Sequence, residues 1–230
     1  MVFLTGDTHR DFCGIKNFCR KYKPTKDDIL TILGDAGINY HGKLQDARCK
    51  HELNKLPITL LCLHGNHEMR PETIPEYHEI EWNGGIVYIE KKFPSLLFAK
   101  DGEVYNLDDK QCIVIGGAYS VDKHFRLYNG WGWWEDEQPS DETKQSVDKK
   151  LNDLDWTIDV VLSHTAPLKY EPREVFLKGI DDSQVDKTTE KWLDSIEDRL
   201  TYDKWYCGHY HTEKSIDKLR FLFNGIIELK

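Results

Sequence analysis

The chain has 230 residues, of which 39% are apolar, and it carries 31 Lys and Arg against 40 Asp and Glu for a net charge of −9. That length suits one large domain with a sizeable core, and the composition does not suggest disorder. The acidic balance argues against a general electrostatic grip on nucleic acid, no stretch approaches the apolar length of a membrane span, and Met1-Val2-Phe3-Leu4 is too short for a signal peptide.

Residues 2–5 read as a strand, 11–22 as a helix, 29–33 as a strand, 42–55 as a helix stopped by Pro57, and 58–63 as a strand. This βαβαβ order is the grammar of a parallel sheet. Short strands follow at 86–89, 96–99, 104–107 and 112–115, punctuated by Gly84-Gly85, Pro94-Ser95, Asp101-Gly102 and Asp108-Asp109. Such spacing predicts hairpins and an antiparallel extension. Gly116-Gly117 opens an irregular substrate-side or lid segment at 116–139, which holds Trp131, Trp133 and Trp134. These tryptophans either pack the segment onto the body or stack a flat substrate group.

Ser140 is placed to cap a helix running to residue 153. A strand at 158–163 ends beside His164, and residues 167–186 read as a polar surface loop. Residues 188–199 form a helix with Trp192, Leu193 and Ile196 at helical spacing. The last strands are expected at 204–207, 218–223 and 226–229. No repeat or linker divides the chain, so one domain over 1–230 is expected. The six cysteines include no Cys-x-x-Cys pair, and Cys62, Cys112 and Cys207 lie in apolar runs. Free thiols in a reducing cytoplasm are expected, with a disulfide among Cys13, Cys19 and Cys49 as the alternative.

Five polar clusters each follow an apolar run: Asp7-Thr8-His9, Gly34-Asp35, Gly65-Asn66-His67-Glu68, Ser163-His164 and Gly208-His209-Tyr210-His211. Open α/β sheets place their sites at the carboxyl ends of strands, so the clusters are expected to converge. Together they offer Asp7, His9, Asp35, Asn66, His164, His209 and His211, an oxygen and imidazole set suited to hard or borderline divalent ions. No cysteine is among them, which excludes a thiolate structural zinc site. Alternation along an extended segment is expected to turn Asp7 and His9 the same way, and likewise His209 and His211. His41, His51, His64, His78 and His124 read as surface or hydrogen-bonded core residues.

The order Asp-x-His, Gly-Asp, Gly-Asn-His-Glu, His, Gly-His-x-His resembles the calcineurin-like metallophosphoesterase superfamily, over residues 7 to 211. The resemblance implies an α/β fold, a four-layer α-β-β-α sandwich of two mixed sheets. It implies two divalent ions, Mn²⁺ first, with Fe or Zn²⁺ as alternatives. Asp7, His9 and His211 would hold one ion, Asn66, His164 and His209 the other, and Asp35 would bridge them. The implied reaction is phosphoester hydrolysis by a metal-bridging hydroxide, with His67 outside the ligand set as general acid or phosphate contact.

Many members carry an acid three residues after the bridging Asp, where this chain has Ile38. Glu68 or a backbone carbonyl is the alternative partner for His67. The protein-phosphatase Asp-Arg-Gly is also missing from Gly34-Asp35-Ala36-Gly37-Ile38-Asn39, so protein phosphatase activity is not implied. Arg126, Lys123 and Arg70, with Asn66, are the expected substrate contacts, because a phosphomonoester dianion needs positive groups around it. The partner is then a phosphorylated substrate, a monoester ahead of a nucleotide or nucleic-acid diester. A non-catalytic phospho-ligand-binding protein is the reading from another class. No membrane partner is expected.

Overall fold

The computed structural model describes residues 1–176 and 184–230, so part of the expected 167–186 loop lies outside the described residues. Strands β1 (Val2–Thr5), β2 (Ile29–Ile32) and β3 (Thr59–Cys62) are almost wholly buried. Such short apolar strands suit a parallel sheet covered on both faces. Helices α1 (Cys13–Tyr22) and α2 (Lys43–Asn54) supply the crossovers. Next come β4 (His78–Trp82), β5 (Gly85–Ile89), β6 (Leu96–Ala99), β7 (Val104–Leu107) and β8 (Lys110–Ile115). Strand β4 escaped the sequence reading because it is an edge strand whose residues alternate between half-buried and exposed.

The 116–139 segment is not wholly irregular. It contains a short helix, α3 (Lys123–Tyr128). Helix α4 (Asp141–Asp153) is capped as expected, with the Thr143 amide donating to Ser140 Oγ at 3.1 Å. The chain ends with β9 (Val160–Ser163), α5 (Thr188–Glu197), β10 (Lys204–Cys207), β11 (Lys214–Ile216), β12 (Leu219–Phe221) and β13 (Ile227–Glu228).

These strands form two mixed sheets, ordered β13-β1-β2-β3-β6-β5-β4 and β11-β12-β10-β9-β8-β7. Alternate residues of each strand enter different apolar clusters, as the two-residue period of a strand requires. Leu61 and Leu63 pack between the sheets with Val114, Val160 and Leu162. Leu60 and Cys62 face the other way, toward Ile15 and Cys19 of α1 and Leu53 of α2. On the far side, Ile113 and Val161 meet Val147 and Leu151 of α4 and Leu193 and Ile196 of α5. Three apolar interfaces therefore separate four layers, α-β-β-α.

Register aligns the strand ends. Thr5 pairs with Ile32 and Ile32 with Cys62, while Ile115 pairs with Ser163 and Ser163 with Cys207, all in parallel ladders. The residues just beyond these positions emerge along one edge of each sheet. All six cysteines are free, and Cys62, Cys112 and Cys207 are buried as expected. Among the described residues no helix is long and apolar enough to cross a membrane.

Gly14, in the first turn of α1, has no structural demand on it: a Cβ there would meet nothing within 4 Å. Gly14→Ala should therefore raise stability by about 0.5–1 kcal/mol by reducing unfolded-state freedom. The check is a higher urea midpoint at unchanged m-value.

Candidate metal centre

Asp7 follows β1, Asp35 follows β2, Asn66 follows β3, His164 follows β9, and His209 and His211 follow β10. The alternation expected for the two Asp/His-x-His segments does not hold. His9 (φ 42°), His209 (φ 65°) and His211 (φ 49°) lie in the left-handed region, as does Asp35 (φ 49°). The chain has left its strands and turns at these points, so backbone turns rather than strand alternation aim the side chains. Each such conformation costs about 1–3 kcal/mol and needs external support. Support comes from between motifs: the His9 amide donates to Asp35 O at 2.8 Å, the His67 amide to Asp35 Oδ1 at 2.7 Å, and the His209 amide to Asp7 Oδ1 at 2.8 Å.

The motif glycines have a steric reason. A Cβ on Gly34 would lie 2.1 Å from His164 Nδ1, one on Gly65 2.1 Å from Asp35 Oδ1, and one on Gly208 2.3 Å from Asp7 Oδ1. Each glycine makes room for a charged or imidazole group of a different motif.

The donor atoms converge. Asp7, His9 and His211 form one group with ligand atoms within 4.8 Å of one another, Asp7, Asp35 and His164 a second, and His9, Asp35 and His67 a third. Asp7, His9 and Asp35 each belong to two of these groups, and the third brings the His67 ring beside His9 and Asp35. His9 Nε2 and His211 Nε2 lie 2.8 Å apart, and His211 Nε2 lies 3.1 Å from Asp7 Oδ2. That Asp7 oxygen is buried with no hydrogen-bond partner among the described residues. Burial opposes its ionisation, yet His211 and His9 outweigh burial and hold the carboxyl far below its usual range. For His9, burial is likewise outweighed by Asp7 and Asp35, which raise it.

At the other end, His164 Nδ1 donates to Leu33 O at 2.7 Å and turns Nε2 toward Asn66 Oδ1, 2.9 Å away. Such a backbone contact fixes which nitrogen is free to ligate. The His209 ring sits 5.0 Å from that of His164. Burial pushes His209 down to about 3, so it is neutral, the form a ligand needs. This convergent oxygen and nitrogen set, with an orphaned buried carboxylate oxygen in it, fits a pair of divalent cations.

The expected substrate contacts are placed differently. Arg70 is buried; it donates to Asp101 Oδ2 at 2.8 Å and to Asp136 O at 2.7 Å. Arg126 is 1% exposed and donates to Ser120 Oγ, Asn66 O and Gly132 O. It braces the Asn66 loop from inside the protein. The Lys123 ammonium lies 4.1 Å above the Trp133 ring. Trp133 Nε1 donates to Glu137, Trp134 packs on Tyr40, and Trp131 is exposed beside Phe125. The bland reading of His64 as a surface or hydrogen-bonded residue needs correcting. It is buried with neither ring nitrogen hydrogen-bonded among the described residues, and burial holds its pKa well below the usual value.

Sequence reasoning missed Ser120, whose Oγ accepts from Asn66 Nδ2 at 3.0 Å and so turns Asn66 Oδ1 toward His164. It also missed Glu137, which accepts from the Ser120 amide at 3.1 Å. The signal lay in the Gly116-Gly117 segment, but which polar groups it buries depends on contacts far along the chain. Burial lowers His67, which Asp35 and Asp122 pull back only in part.

Glu68 does not serve His67. Its Oε1 accepts from the Ala36 amide at 3.1 Å, which holds the loop after Asp35. Burial and then Asp35 push this carboxyl up to about 8. The unfolded value is near 4.3, so the unfolded chain binds fewer protons between these pH values and the group erodes stability as pH rises through the window. Glu68→Gln keeps the acceptor and removes the titration. In chelator-stripped protein, its stability advantage over wild type should be near zero at pH 4.5 and grow to on the order of 3 kcal/mol by pH 8. Urea midpoints of both proteins across that range check this; a pH-independent difference would refute it.

A search among curated proteins finds no match to the chain. The family model described as Calcineurin-like phosphoesterase matches residues 1–219, nearly the whole two-sheet fold and every residue of the convergent set above. The chain belongs to the calcineurin-like phosphoesterases, a family of metal-dependent phosphoric ester hydrolases.

Proposed function

We propose that this chain hydrolyses phosphodiesters, and that the observation carrying this reading is the fate of its cations. The monoester expectation depended on Arg126, Lys123 or Arg70 reaching a phosphate dianion. Arg126 and Arg70 are buried against protein acceptors, and Lys123 lies over an indole ring. A diester carries a single negative charge and needs less compensation, but it needs room for two ester arms. A cavity of about 240 Å³ opens beside Asp7 and His9, lined also by Thr8, Ile15, Phe223 and Asn224, with no Lys or Arg among the described residues of its lining. Val121 and Phe125, on the segment that carries Asp122 and Arg126, are exposed to solvent.

In this reading Asp7, His9 and His211 hold one divalent ion and Asn66, His164 and His209 the other, with Asp35 shared. When bound, such a pair supplies Lewis acidity and lowers the pKa of water. Mn²⁺ is the proposed first choice, since the ligand set offers oxygen and imidazole and no thiolate. Water supplies the oxygen that bonds to phosphorus. His67 gives its proton to the leaving oxygen as the other P–O bond breaks, and a proton from the water restores it. The products are a monoester and an alcohol.

The test compares bis-p-nitrophenyl phosphate with p-nitrophenyl phosphate on chelator-stripped protein reloaded with Mn²⁺. A higher kcat/KM on the diester is expected. Preference for the monoester would return the assignment to a phosphatase.

A further inference from the structure

The search for an acid that serves His67 ends outside the metal motifs. Ile38 is fully buried in the apolar cluster that also holds Phe12, Ile15 and Leu53. Glu68 is spent on the Ala36 amide. Asp122, just before α3, places Oδ1 3.9 Å from His67 Nε2. This oxygen is shielded from solvent and has no hydrogen-bond partner among the described residues, although the side chain as a whole is 39% exposed. An unpartnered buried carboxylate oxygen is costly and calls for a donor.

Two nitrogens are near enough to be that donor. Arg126 Nη1 lies 3.8 Å away, but its two hydrogens already serve Ser120 Oγ at 2.8 Å and Asn66 O at 3.3 Å. Among the described residues His67 Nε2 has no other hydrogen-bond or ion-pair partner. Asp122 also forgoes the usual work of an aspartate in its position: it occupies the N-cap of α3, yet its side chain makes no capping bond. The carboxylate is directed at the imidazole instead of at its own helix.

We propose that Asp122 is the positioning residue for the His67 imidazole, taking the place of the acid absent at Ile38. It accepts from Nε2–H, fixes the ring rotation and, in the doubly protonated ring that it favours, leaves Nδ1–H to face the leaving oxygen. The gap exceeds hydrogen-bond length, as such contacts often do before substrate closes the site. This inference rests on the phosphodiester reading for its kinetic test and has a second readout that does not.

The kinetic test uses methyl phenyl phosphate, whose leaving group needs a proton, and methyl p-nitrophenyl phosphate, whose leaving group departs without one. Asp122→Ala is expected to lower kcat roughly 10–100-fold on the phenyl ester, far less on the nitrophenyl ester, with KM and metal content unchanged. Asp122→Glu should recover part of the loss. Adding Asp122→Ala to His67→Ala should cost nothing more. The second readout is ¹⁵N-histidine NMR of Zn²⁺-loaded protein: wild type should show a protected Nε2–H on His67 that Asp122→Ala removes and Asp122→Glu keeps. A uniform loss on both esters, additive with His67→Ala and with the Nε2 proton unchanged, overturns the proposal. If wild type hydrolyses neither diester, the phosphodiester reading fails and the NMR result alone decides the role of Asp122.

Discussion

Asp35→Asn is expected to reduce kcat/KM by about a thousandfold, the upper range for removing one group that contributes to transition-state charge stabilisation. Asp35 Oδ1 stands 3.6 Å from His164 Nε2, and its Oδ2 stands 3.8 Å from His9 Nε2. It is therefore a carboxylate with one oxygen toward each half of the ligand set. Asparagine tolerates the left-handed backbone at this position and retains Oδ1 as acceptor for the His67 amide. The fold should survive while the negative charge between the imidazoles is lost. Far-UV circular dichroism should be unchanged, and metal content should fall below two ions per chain. A variant that keeps both ions and wild-type turnover would refute the bridging role.

Gly65→Ala should disable the site by a different route. The added Cβ would lie 2.1 Å from both the backbone nitrogen and Oδ1 of Asp35. Backbone cannot yield as the tip of a flexible side chain can, so the loop bearing Asp35 must move. Overpacking of this kind costs roughly 1–3 kcal/mol or more, and here it falls on a residue already held at positive φ. The expected result is a lowered melting temperature together with metal loss and activity as low as in Asp35→Asn. Excess Mn²⁺ should restore neither, because the defect is in ligand placement rather than affinity at one atom. Full rescue by metal would show that the close approach is not required. Gly14→Ala, with nothing within 4 Å of the new methyl, is the internal contrast.

The helix over 140–153 was legible because its cap is local: Ser140 and Thr143 are three residues apart. The motif strands were legible for the same reason, as short apolar runs ending in polar residues. Edge strand β4 was not, since Glu79 and Glu81 interrupt its apolar pattern on the solvent side. Nor was α3, set among glycines and tryptophans that predict no regular structure.

The site divides along the same line. Residue type and order were enough to name the metal-competent set, because ligand chemistry is a property of the side chain itself. How those side chains are aimed was misjudged, because His9, His209 and His211 arrive through left-handed turns held by hydrogen bonds from other motifs. The arginines show the difference most clearly. In sequence, Arg126 is a cation near a glycine pair; in the fold it is buried and bonded to the carbonyl of Asn66, 60 residues away. The sequence alone determined which residue types could act as ligands, the order of the strands that end in the five motifs, and the missing acid at Ile38. Only the tertiary structure decided which cations are consumed by the protein and which carboxylate faces His67, because burial and pairing are set by contacts between distant segments that no local pattern encodes.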